Sequence, residues 1–323
     1  MTDLNECNIL IYADDSYVKH AGVLCMSIAL NASEKNIYNI FFGYTGKESE
    51  SSLPMIEKDL SKFSNVSIYF FEITEHLNAG IKSKSNKSYI SDNIYAKLYV
   101  FQHLPSNLNK ILFLDSDIIA LRDVYDLYKI DVSDVLLAAR GEPQTFEKYY
   151  GLESRANVLG LNNAQQYFNS GVMLVNLEKW REELVSERTI RFLKEEGRNI
   201  YLHDQDGLNS IIMGNWLELP HEWHPHPHSL NKIFTTGGFS AQLTDGELAK
   251  MKLAGLAHFL GLGKPWRPGC KSPWKNEYLY YLSKTSFRQL FQEVKKIHEK
   301  ENKIDFIRKI YFRMKHLNKL ITR

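Results

Sequence analysis

Short apolar runs alternate with stretches of helical character along most of the chain. Seven apolar runs predict strands, at residues 8–13, 37–44, 66–71, 111–114, 135–140, 172–175 and 253–257. The stretches between them predict helices, at residues 18–30, 49–63, 90–103 and 181–196. Such alternation is typical of an α/β fold, in which helices flank a mostly parallel sheet and the crossovers are right-handed.

The fourth run, Ile111 to Leu114, is apolar at every position, which suits a strand buried on both faces. It ends abruptly in Asp115-Ser116-Asp117. Burying a bare carboxylate is very costly, and the two aspartates project from the same face of an extended chain, so one cation would compensate both. The D-x-D spacing alone is a weak signal, because a chain with 24% charged residues contains such pairs by chance.

A polar turn, Asp14 to Tyr17, follows the first strand and precedes a helix, and nucleotide sites are often built in this way. The chain has neither a G-x-G-x-x-G nor a G-x-x-x-x-G-K motif here, so dinucleotide and P-loop sites are unsupported. Tyr17 could stack on a base, and Asp14 could accept a hydrogen bond from a uracil or a ribose. A helix N-cap by Asp14 or Asp15, with a core tyrosine, explains the turn at least equally well.

Three further polar positions lie next to apolar elements. Lys97 flanks the apolar stripe of the third predicted helix; a lysine there is usually solvated, with a packed stem, but could reach a phosphate. Asn169-Ser170-Gly171 is predicted to be a polar turn in front of the strand at residues 172–175. Asp204 is most simply a helix cap, whereas its neighbour Gln205 is less easily explained by structure alone.

Histidines mark two segments of the last third of the chain. His221 to His228 reads HEWHPHPH, and its prolines enforce an extended chain in which alternate histidines share a face. No carboxylate or cysteine completes a metal pattern, so we predict a loop that lines a polyhydroxyl pocket. A lone histidine after a strand, such as His258, is most often a hydrogen-bonding residue. Here Gly261, Gly263 and Lys264 follow, and glycines next to a cation suit a diphosphate.

The composition is that of an ordinary globular protein of 323 residues. Its three cysteines are odd in number and scattered, which predicts a reducing cytosol rather than a disulfide framework or a C-x-x-C metal site. We recognise no signal peptide before the first strand, and no apolar run approaches the ~20 residues that a membrane helix needs. These features predict a cytoplasmic protein.

Positive charge is concentrated at the C-terminus. The net charge is +2, but residues 288–323 carry eleven Lys and Arg against four Asp and Glu, so the rest of the chain is acidic. An acidic body with a short basic tail argues against nucleic-acid binding. We therefore divide the chain into a domain, residues 1–285, and a tail, residues 286–323.

The tail has one apolar stripe at helical spacing, formed by Ile307, Ile310, Met314, Leu317 and Ile321. Basic residues fall mostly on the opposite face, and a basic amphipathic helix is typical of an anchor on an anionic membrane surface. The same stripe would also serve a terminal helix packed on the domain.

Taken together and in this order, six segments resemble the retaining glycosyltransferases of family 8. They are YADDSY at 12–17, IYAKL at 94–98, ILFLDSDIIAL at 111–121, YFNSGVMLVNLEKW at 167–180, HDQDGLN at 203–209 and HFLGLGKPW at 258–266. That family includes bacterial lipopolysaccharide α-galactosyl- and α-glucosyltransferases and the glycogenins. The resemblance implies a GT-A fold, a Rossmann-like domain with a D-x-D metal site and a UDP-sugar donor.

Carried over position by position, the resemblance implies three groups of site residues. The metal ligands would be Asp115, Asp117 and His258. The donor would be bound by Tyr12, Ala13, Asp14, Tyr17, Lys97, Ser116, Asn169, Ser170, Gly261 and Lys264. The residues next to the reacting carbon would be Asp204 and Gln205. Lys97 stands where arginine is frequent and cannot form a bidentate fork, and Ser16 stands where asparagine is frequent.

The types of these residues restrict which metal ion and which catalytic mechanism we expect. Two carboxylates and one imidazole suit Mn²⁺ better than Mg²⁺, which prefers oxygen and water, although Mg²⁺ is possible. Retention by double displacement needs a carboxylate under the sugar ring. The residues expected there are Gln205, a poor nucleophile, and Asp204, expected to grip sugar hydroxyls, so we favour attack on the same face as the leaving group.

We therefore predict a Mn²⁺-dependent retaining hexosyltransferase on the inner face of the cell membrane. It would move galactose or glucose from a UDP-sugar, with an α-linkage, to a lipid-linked acceptor: lipopolysaccharide core, lipooligosaccharide or capsule. Alternatives are a glucosyltransferase that acts on a protein-linked glycan and a catalytically silent sugar-nucleotide-binding protein. A nucleotidyltransferase would need a glycine-rich triphosphate loop, which the turn at residues 14–17 is not.

Overall fold

The computed structural model describes residues 5–74, 96–151, 157–196, 199–224, 253–261, 263–270 and 272–300. Within these residues the strands are β1 (Asn5–Ala13), β2 (Asn36–Tyr44), β3 (Val66–Glu72), β4 (Lys110–Asp115), β5 (Ile118–Ala120), β6 (Leu137–Gly141), β7 (Phe168–Asn176), β8 (Trp216–Glu218) and β9 (Leu256–His258). The α-helices are α1 (Val18–Asn31), α2 (Lys47–Leu60), α3 (Ala96–Tyr99), α4 (Tyr125–Tyr128), α5 (Pro143–Tyr150), α6 (Leu177–Glu182), α7 (Val185–Glu196), α8 (Asp204–Ile212) and α9 (Lys275–Lys284).

Seven strands form the central sheet, in the order β3-β2-β1-β4-β7-β6-β8. Neighbours from β3 to β4 are parallel, and so are β6 and β8, whereas β7 runs antiparallel to both β4 and β6. The predicted α/β fold with a mostly parallel sheet is confirmed.

Side chains of the central strands divide between two hydrophobic cores, one on each face of the sheet. In β4, Leu112 and Leu114 belong to one core, and Ile111 and Phe113 belong to the other. Successive side chains of a strand point to opposite faces, so a strand covered on both faces must be apolar at every position. Helices α1, α2 and α9 contribute to the first core, and α3 and α5 to α8 contribute to the second.

A second, two-stranded sheet brings a distant part of the chain to the end of β4. Strands β5 and β9 are antiparallel, with Ile118 opposite His258. The backbone N–H of Phe259 donates a hydrogen bond of 2.9 Å to the carbonyl oxygen of Asp117. This pairing fixes His258 beside the D-x-D segment.

Two predicted elements differ from the structure. Asn169-Ser170-Gly171 is not a turn, because all three residues lie inside β7, which is buried over its whole length. The helix predicted over residues 181–196 is interrupted at Leu184, whose φ is 50°, so α6 and α7 are separate. In the first case the polar side chains form hydrogen bonds inside the site, Asn169 with the N–H of Gly171 and Ser170 with Asp204. Polarity alone therefore indicated a turn wrongly.

The C-terminal residues that the structure describes pack on the domain. Residues 288–300 are helical, and Phe287 and Val294 are buried in the first core. The backbone N–H and the hydroxyl of Ser286 both donate hydrogen bonds to the carboxylate of Asp59 in α2.

The predicted amphipathic stripe, residues 307–321, lies outside the described residues. The membrane anchor and the division of the chain after residue 285 therefore stay predictions. None of the helices that the structure describes is long and apolar enough to cross a membrane. All three cysteines are free and buried.

Candidate active site

Three potential metal ligands converge where β4 ends. Asp115 is the last residue of β4 and lies opposite Tyr12 of β1, while Asp117 immediately precedes β5. With His258 brought in by β9, one ligand atom of each side chain lies within 4.8 Å of the other two. The site is accessible, since 27% of the Asp115 side chain is exposed.

The contact between His258 and Asp117 has the geometry of two ligands of one ion. Nε2 of His258 lies 2.9 Å from Oδ1 of Asp117. This buried oxygen nevertheless has no hydrogen-bond partner in the described part of the chain. Neighbouring ligands at about 2.1 Å from an octahedral ion are about 3 Å apart. The two carboxylates and the imidazole therefore fit a divalent cation.

Gly171 makes this convergence possible, because β7 passes directly beside the ligands. A Cβ at this position would lie 2.4 Å from Cε1 of His258 and 2.8 Å from Oδ2 of Asp115. Asn169 also contributes here, since its Oδ1 accepts a hydrogen bond of 2.8 Å from the N–H of Gly171. Any side chain larger than hydrogen at position 171 would push the ligands apart.

Two buried lysines balance the carboxylates. Lys264 forms an ion pair with Asp117, and Lys97 pairs with Asp204 and, at 3.4 Å, with Asp115. Burial opposes the charge of both lysines, but the carboxylates outweigh it and raise their pKa values. Lys97 is only 6% exposed, so the expectation of a solvated side chain is wrong.

The two aspartates of the D-x-D segment respond differently to this environment. Burial opposes ionisation of Asp117, but the neighbouring Lys264 and His258 outweigh it and hold the pKa of that carboxyl well below its usual range. Burial raises the pKa of Asp115, and the positive charge of Lys97, which lowers it, does not fully offset this effect. A bound divalent ion would favour the charged form of both.

Asp204 faces the site rather than the start of its helix. Its Oδ2 accepts a hydrogen bond of 2.9 Å from the hydroxyl of Ser170 and pairs with Lys97, whose Nζ lies 3.3 Å from the same hydroxyl. The N-cap residue of α8 is His203, which has a φ of 51°. The helix-cap explanation of Asp204 is therefore wrong. A closed polar cluster of Lys97, Ser170 and Asp204 joins Asp115 to α8.

Gln205 lies between this cluster and β6. Its Oε1 accepts a hydrogen bond of 3.3 Å from the N–H of Ser170. Its Nε2 donates to the hydroxyl of Tyr167 at 3.1 Å and to Oε2 of Glu142 at 3.3 Å. Glu142 follows β6 and is buried, and its Oε1 has no hydrogen-bond partner among the described residues. The amide is thus held on three sides at the edge of the site.

The turn between β1 and α1 lies at the same edge of the sheet. Oδ1 of Asp14 accepts a hydrogen bond of 2.9 Å from the N–H of Ser16, and its carbonyl accepts from the N–H of Tyr17. Asp15 instead accepts a hydrogen bond of 2.8 Å from the N–H of Ser49 in α2. The N-cap residue of α1 is Tyr17, without a side-chain bond, so neither aspartate caps that helix.

Two tyrosines frame this turn. The hydroxyl of Tyr12 lies 3.0 Å from Oγ1 of Thr45, and burial raises its pKa well above the usual range. Ala13 ends β1 and is buried. The half-buried ring of Tyr17 lies 5.5 Å from Nζ of Lys264, so the predicted nucleotide and diphosphate ends of the site are adjacent.

Aromatic rings pack beside the loop that carries Lys264. Gly261 has a φ of 58°, and a Cβ there would meet nothing within 4 Å. Trp266 lies 5.8 Å from Nζ of Lys264 and stacks on His20, with ring centroids 3.6 Å apart. Burial, with the positive charge of Lys264, lowers the pKa of His20 to about 3. The stacked imidazole is therefore neutral and adds no repulsion to the lysine.

Comparison with known proteins identifies the family. The family model described as glycosyl transferase family 8 matches residues 8–270. The chain belongs to this family. This family 8 member is 26% identical, over 291 residues, to the lipopolysaccharide 1,2-glucosyltransferase of Escherichia coli (strain K12), with 84% of this chain and 80% of that protein covered. It is 25% identical over 286 residues to general stress protein A of Bacillus subtilis (strain 168), with 88% and 95% covered.

Solved structures agree with the predicted GT-A fold of this family 8 member. The galactosyltransferase LgtC, in complex with donor and acceptor sugar analogs, has a TM-score of 0.68 at 21% identity, covering 86% of this chain and 96% of LgtC. The bifunctional glycosyltransferase WbbM has a TM-score of 0.70 at 22% identity, covering 91% of this chain and 52% of WbbM. The chain thus spans about half of WbbM, and the GT-A fold is confirmed.

Sequence reasoning missed three residues of the site of this family 8 member. Gly171 was recognised only as part of a turn, and Glu142 not at all. His224 was placed in a loop lining a sugar pocket, but it is fully buried and its Nε2 lies 3.0 Å from Nδ1 of His258. The remainder of that loop, residues 225–228, lies outside the described residues. The unusual histidine–proline pattern was a signal, but only the tertiary structure shows which histidine faces His258.

Proposed function

We propose that this family 8 glycosyltransferase is a Mn²⁺-dependent, retaining enzyme that moves galactose or glucose from a UDP-sugar with an α-linkage. One observation carries the proposal: Asp115, Asp117 and His258 converge with Lys264 on one side and the Lys97–Asp204 pair on the other. Metal ligands, a diphosphate-binding cation and a sugar-binding carboxylate are therefore contiguous. This is the order in which a UDP-sugar presents its phosphates and its hexose.

The residues on the phosphate side are suited to a departing UDP. Cleavage of the anomeric C–O bond leaves negative charge on the β-phosphate, which a divalent ion held by Asp115, Asp117 and His258 would stabilise as a Lewis acid. Lys264 supplies a second positive charge at the same place. Its side chain is buried, so this charge acts in a medium of low dielectric constant, where it stabilises a developing anion more strongly than in water.

The residues on the sugar side orient the hexose. Lys97 and the hydroxyl of Ser170 hold the carboxylate of Asp204 in one orientation, and an ionised carboxylate accepts hydrogen bonds from sugar hydroxyls. The same contacts make Asp204 a poor nucleophile, and the amide of Gln205 is a poorer one. We therefore propose same-face attack, in which the acceptor hydroxyl forms the new C–O bond as the phosphate leaves and its proton passes to the departing phosphate oxygen. A glycosyl adduct isolated on Asp204 would contradict this.

The acceptor we propose is a lipid-linked cell-surface glycan: lipopolysaccharide core, lipooligosaccharide or capsule. The name of the Escherichia coli relative supports this class of acceptor. We propose that the enzyme is cytoplasmic and peripheral on the inner face of the membrane, where the eleven basic residues of 288–323 favour anionic lipid. Vesicle binding that is unchanged after removal of residues 303–323 would contradict the anchor.

The test is UDP release by the purified protein from UDP-galactose, UDP-glucose and UDP-N-acetylglucosamine, with Mn²⁺ or with chelator. We expect slow, Mn²⁺-dependent hydrolysis of one donor. Asp117→Ala should reduce it by at least about a hundredfold, more than the loss of a residue behind a metal ligand usually costs. The matched control is Asp126→Ala, which removes a carboxylate that is 63% exposed on α4 and should change nothing.

Donor binding in the same samples, read as a thermal shift, separates the outcomes. Binding of one UDP-sugar without turnover, even with acceptor glycans added, would indicate a catalytically silent protein. Neither binding nor turnover with any donor would overturn the proposed function.

A further inference from the structure

His258 has two ring nitrogens, and each has its own neighbour. Nε2 faces Oδ1 of Asp117 at 2.9 Å, on the side where the metal ligands converge. Nδ1 lies 3.0 Å from Nε2 of His224, and the two rings are 5.1 Å apart at an interplanar angle of 26°. His224 is fully buried and the side chain of His258 is 2% exposed, so this contact between imidazoles is shielded from solvent.

The proton positions in this contact follow from the chemistry of a metal ligand. An imidazole that binds a metal through Nε2 must present a lone pair there, so in its neutral form the proton is on Nδ1. Nδ1–H of His258 then donates to Nε2 of His224, which must be the acceptor. The opposite tautomer of His258, with its proton on Nε2, would direct that proton at the metal position and could not bind an ion.

We propose that His224 is a positioning residue, which selects the metal-binding tautomer of His258 and fixes the orientation of its ring. This inference rests on the proposed metal dependence and deepens it. Metal-binding histidines commonly donate their second N–H to a carboxylate or a carbonyl. Here the acceptor is a neutral imidazole, which adds no negative charge to a site that already holds Asp115, Asp117 and Asp204.

His224 is itself held by the strand that carries His258. It follows a 3₁₀ turn, His221–Trp223, and the N–H of Gly255 donates a hydrogen bond of 2.6 Å to the carbonyl of Glu222 in that turn. Trp223 packs so closely on Gly255 that a Cβ there would lie 2.3 Å from Cε3 of the indole. The turn therefore packs against Gly255, the residue that immediately precedes β9. These contacts fix the imidazoles of His224 and His258 relative to each other.

The test measures Mn²⁺ affinity of the full-length protein in the presence of UDP, from the electron paramagnetic resonance signal of free Mn²⁺. His224→Leu removes the hydrogen-bond acceptor and fills the buried position with an apolar side chain. We expect Mn²⁺ binding to weaken about 10–100-fold. The side-chain oxygen of His224→Gln can take the place of Nε2 as acceptor, so this variant should retain nearly the affinity of the wild type. His221→Gln, on the same turn, is the matched control and should bind as the wild type does.

The outcomes separate this inference from the proposed function. Wild-type affinity in His224→Leu, or an equal loss in His224→Leu and His224→Gln, would overturn the role of His224 as an acceptor. Absence of Mn²⁺ binding by the wild type would overturn the metal dependence and this inference with it. Melting temperatures without metal identify a variant that fails to fold.

If the variants fail to fold, the proposal can still be tested on the wild-type protein. Nitrogen-15 spectra with Mg²⁺ and UDP bound report the tautomer of each imidazole, and we expect the proton of His258 on Nδ1. A proton on Nε2 would overturn the proposal.

Discussion

The chain contains two aspartate pairs with the same spacing, Asp115 with Asp117 and Asp204 with Asp206, and their carboxylates behave in opposite ways. The first pair follows a strand, and both carboxylates converge on one metal position with His258. The second pair opens helix α8, and its carboxylates diverge. Asp204 turns toward Lys97 and the site, whereas Asp206 turns into the second core.

The backbone explains the difference. Asp115 ends β4, and residues 116 and 117 form the turn into β5, which returns Asp117 to the side of Asp115 and His258. In an α-helix, residues i and i+2 are instead separated by about 200° around the axis. Asp206 is 0% exposed and accepts hydrogen bonds from two hydroxyls and two backbone N–H groups, those of Tyr150, Tyr167, Tyr201 and Leu202. It fixes the loop that leads into α8, and so holds Asp204 and Gln205 in place.

The partners of the two pairs also differ in kind. Asp115, Asp117 and Asp204 face buried lysines, whose positive charges can also attract a phosphate. Asp206 faces only neutral donors, and burial raises its pKa despite them. A buried carboxylate that faces cationic side chains can take part in binding, whereas one that accepts hydrogen bonds only from neutral groups of the fold serves stability.

The largest expected effect comes from Asp206→Ala, which tests this structural role. The substitution leaves four donors in the interior without their acceptor. Since a hydrogen bond to a charged group contributes roughly 1.5–3 kcal/mol, we expect the free energy of unfolding to fall by about 3–5 kcal/mol. Asp204→Ala is the comparison, because Lys97 keeps Asp115 as a partner, and its loss of stability should be clearly smaller. Urea unfolding without metal measures both, and equal losses would contradict the contrast.

A smaller effect is expected for Gly171→Ala, which breaks the convergence of the first pair and leaves the second intact. The added methyl group would meet His258 and Asp115, and both ligands must move to admit it. We expect Mn²⁺ affinity to fall about 10–100-fold, as for other disturbances around metal ligands.

The matched readout for Gly171→Ala is UDP binding without metal. Ser170 and Asp204 keep their contacts, so this binding should change little. If Gly171→Ala bound Mn²⁺ as tightly as the wild type does, the ion would not be bound where Asp115, Asp117 and His258 converge beside Gly171.

Much of this contrast could be predicted from the sequence. The apolar run before Asp115 predicted a strand buried on both faces, as the structure has it. The convergence of Asp115 and Asp117 was also predicted, but from an extended chain, whereas residues 116 and 117 form a turn. The strand–helix alternation predicted the sheet, and the six ordered segments predicted the family. The predicted elements are local, since each depends on the periodicity of a short stretch, whereas the family followed from the resemblance of six segments to known members.

The errors concern residues whose partners are distant in the chain. The local pattern of Lys97 indicated a solvated side chain, because nothing near it in sequence shows that Asp115 and Asp204 would surround it. The local pattern of Asp204 indicated a cap for the same reason. Only the family resemblance implied that both lie in the site. The pairing of His224 with His258 depends on β9 meeting β5, and the alternation of apolar runs does not specify that antiparallel contact.

The smallest effect separates the two pairs by the sign of their pH dependence, in metal-free protein with chelator. The pKa of Asp117 is lowered on folding, so its contribution to stability is complete above about pH 4, the unfolded value, and is lost as the pH falls further. The pKa of Asp206 is raised, so its contribution is largest below about pH 4 and declines as the pH rises toward its folded value. Each slope is at most about 1.4 kcal/mol per pH unit. Urea unfolding from pH 3 to 7 should show the advantage of wild type over Asp117→Asn shrinking toward acid and that over Asp206→Asn shrinking toward neutral pH. Slopes of the same sign would mean that Lys264 and His258 do not hold Asp117 in its charged form. The contrast between the binding carboxylates and the structural carboxylate Asp206 would then be wrong.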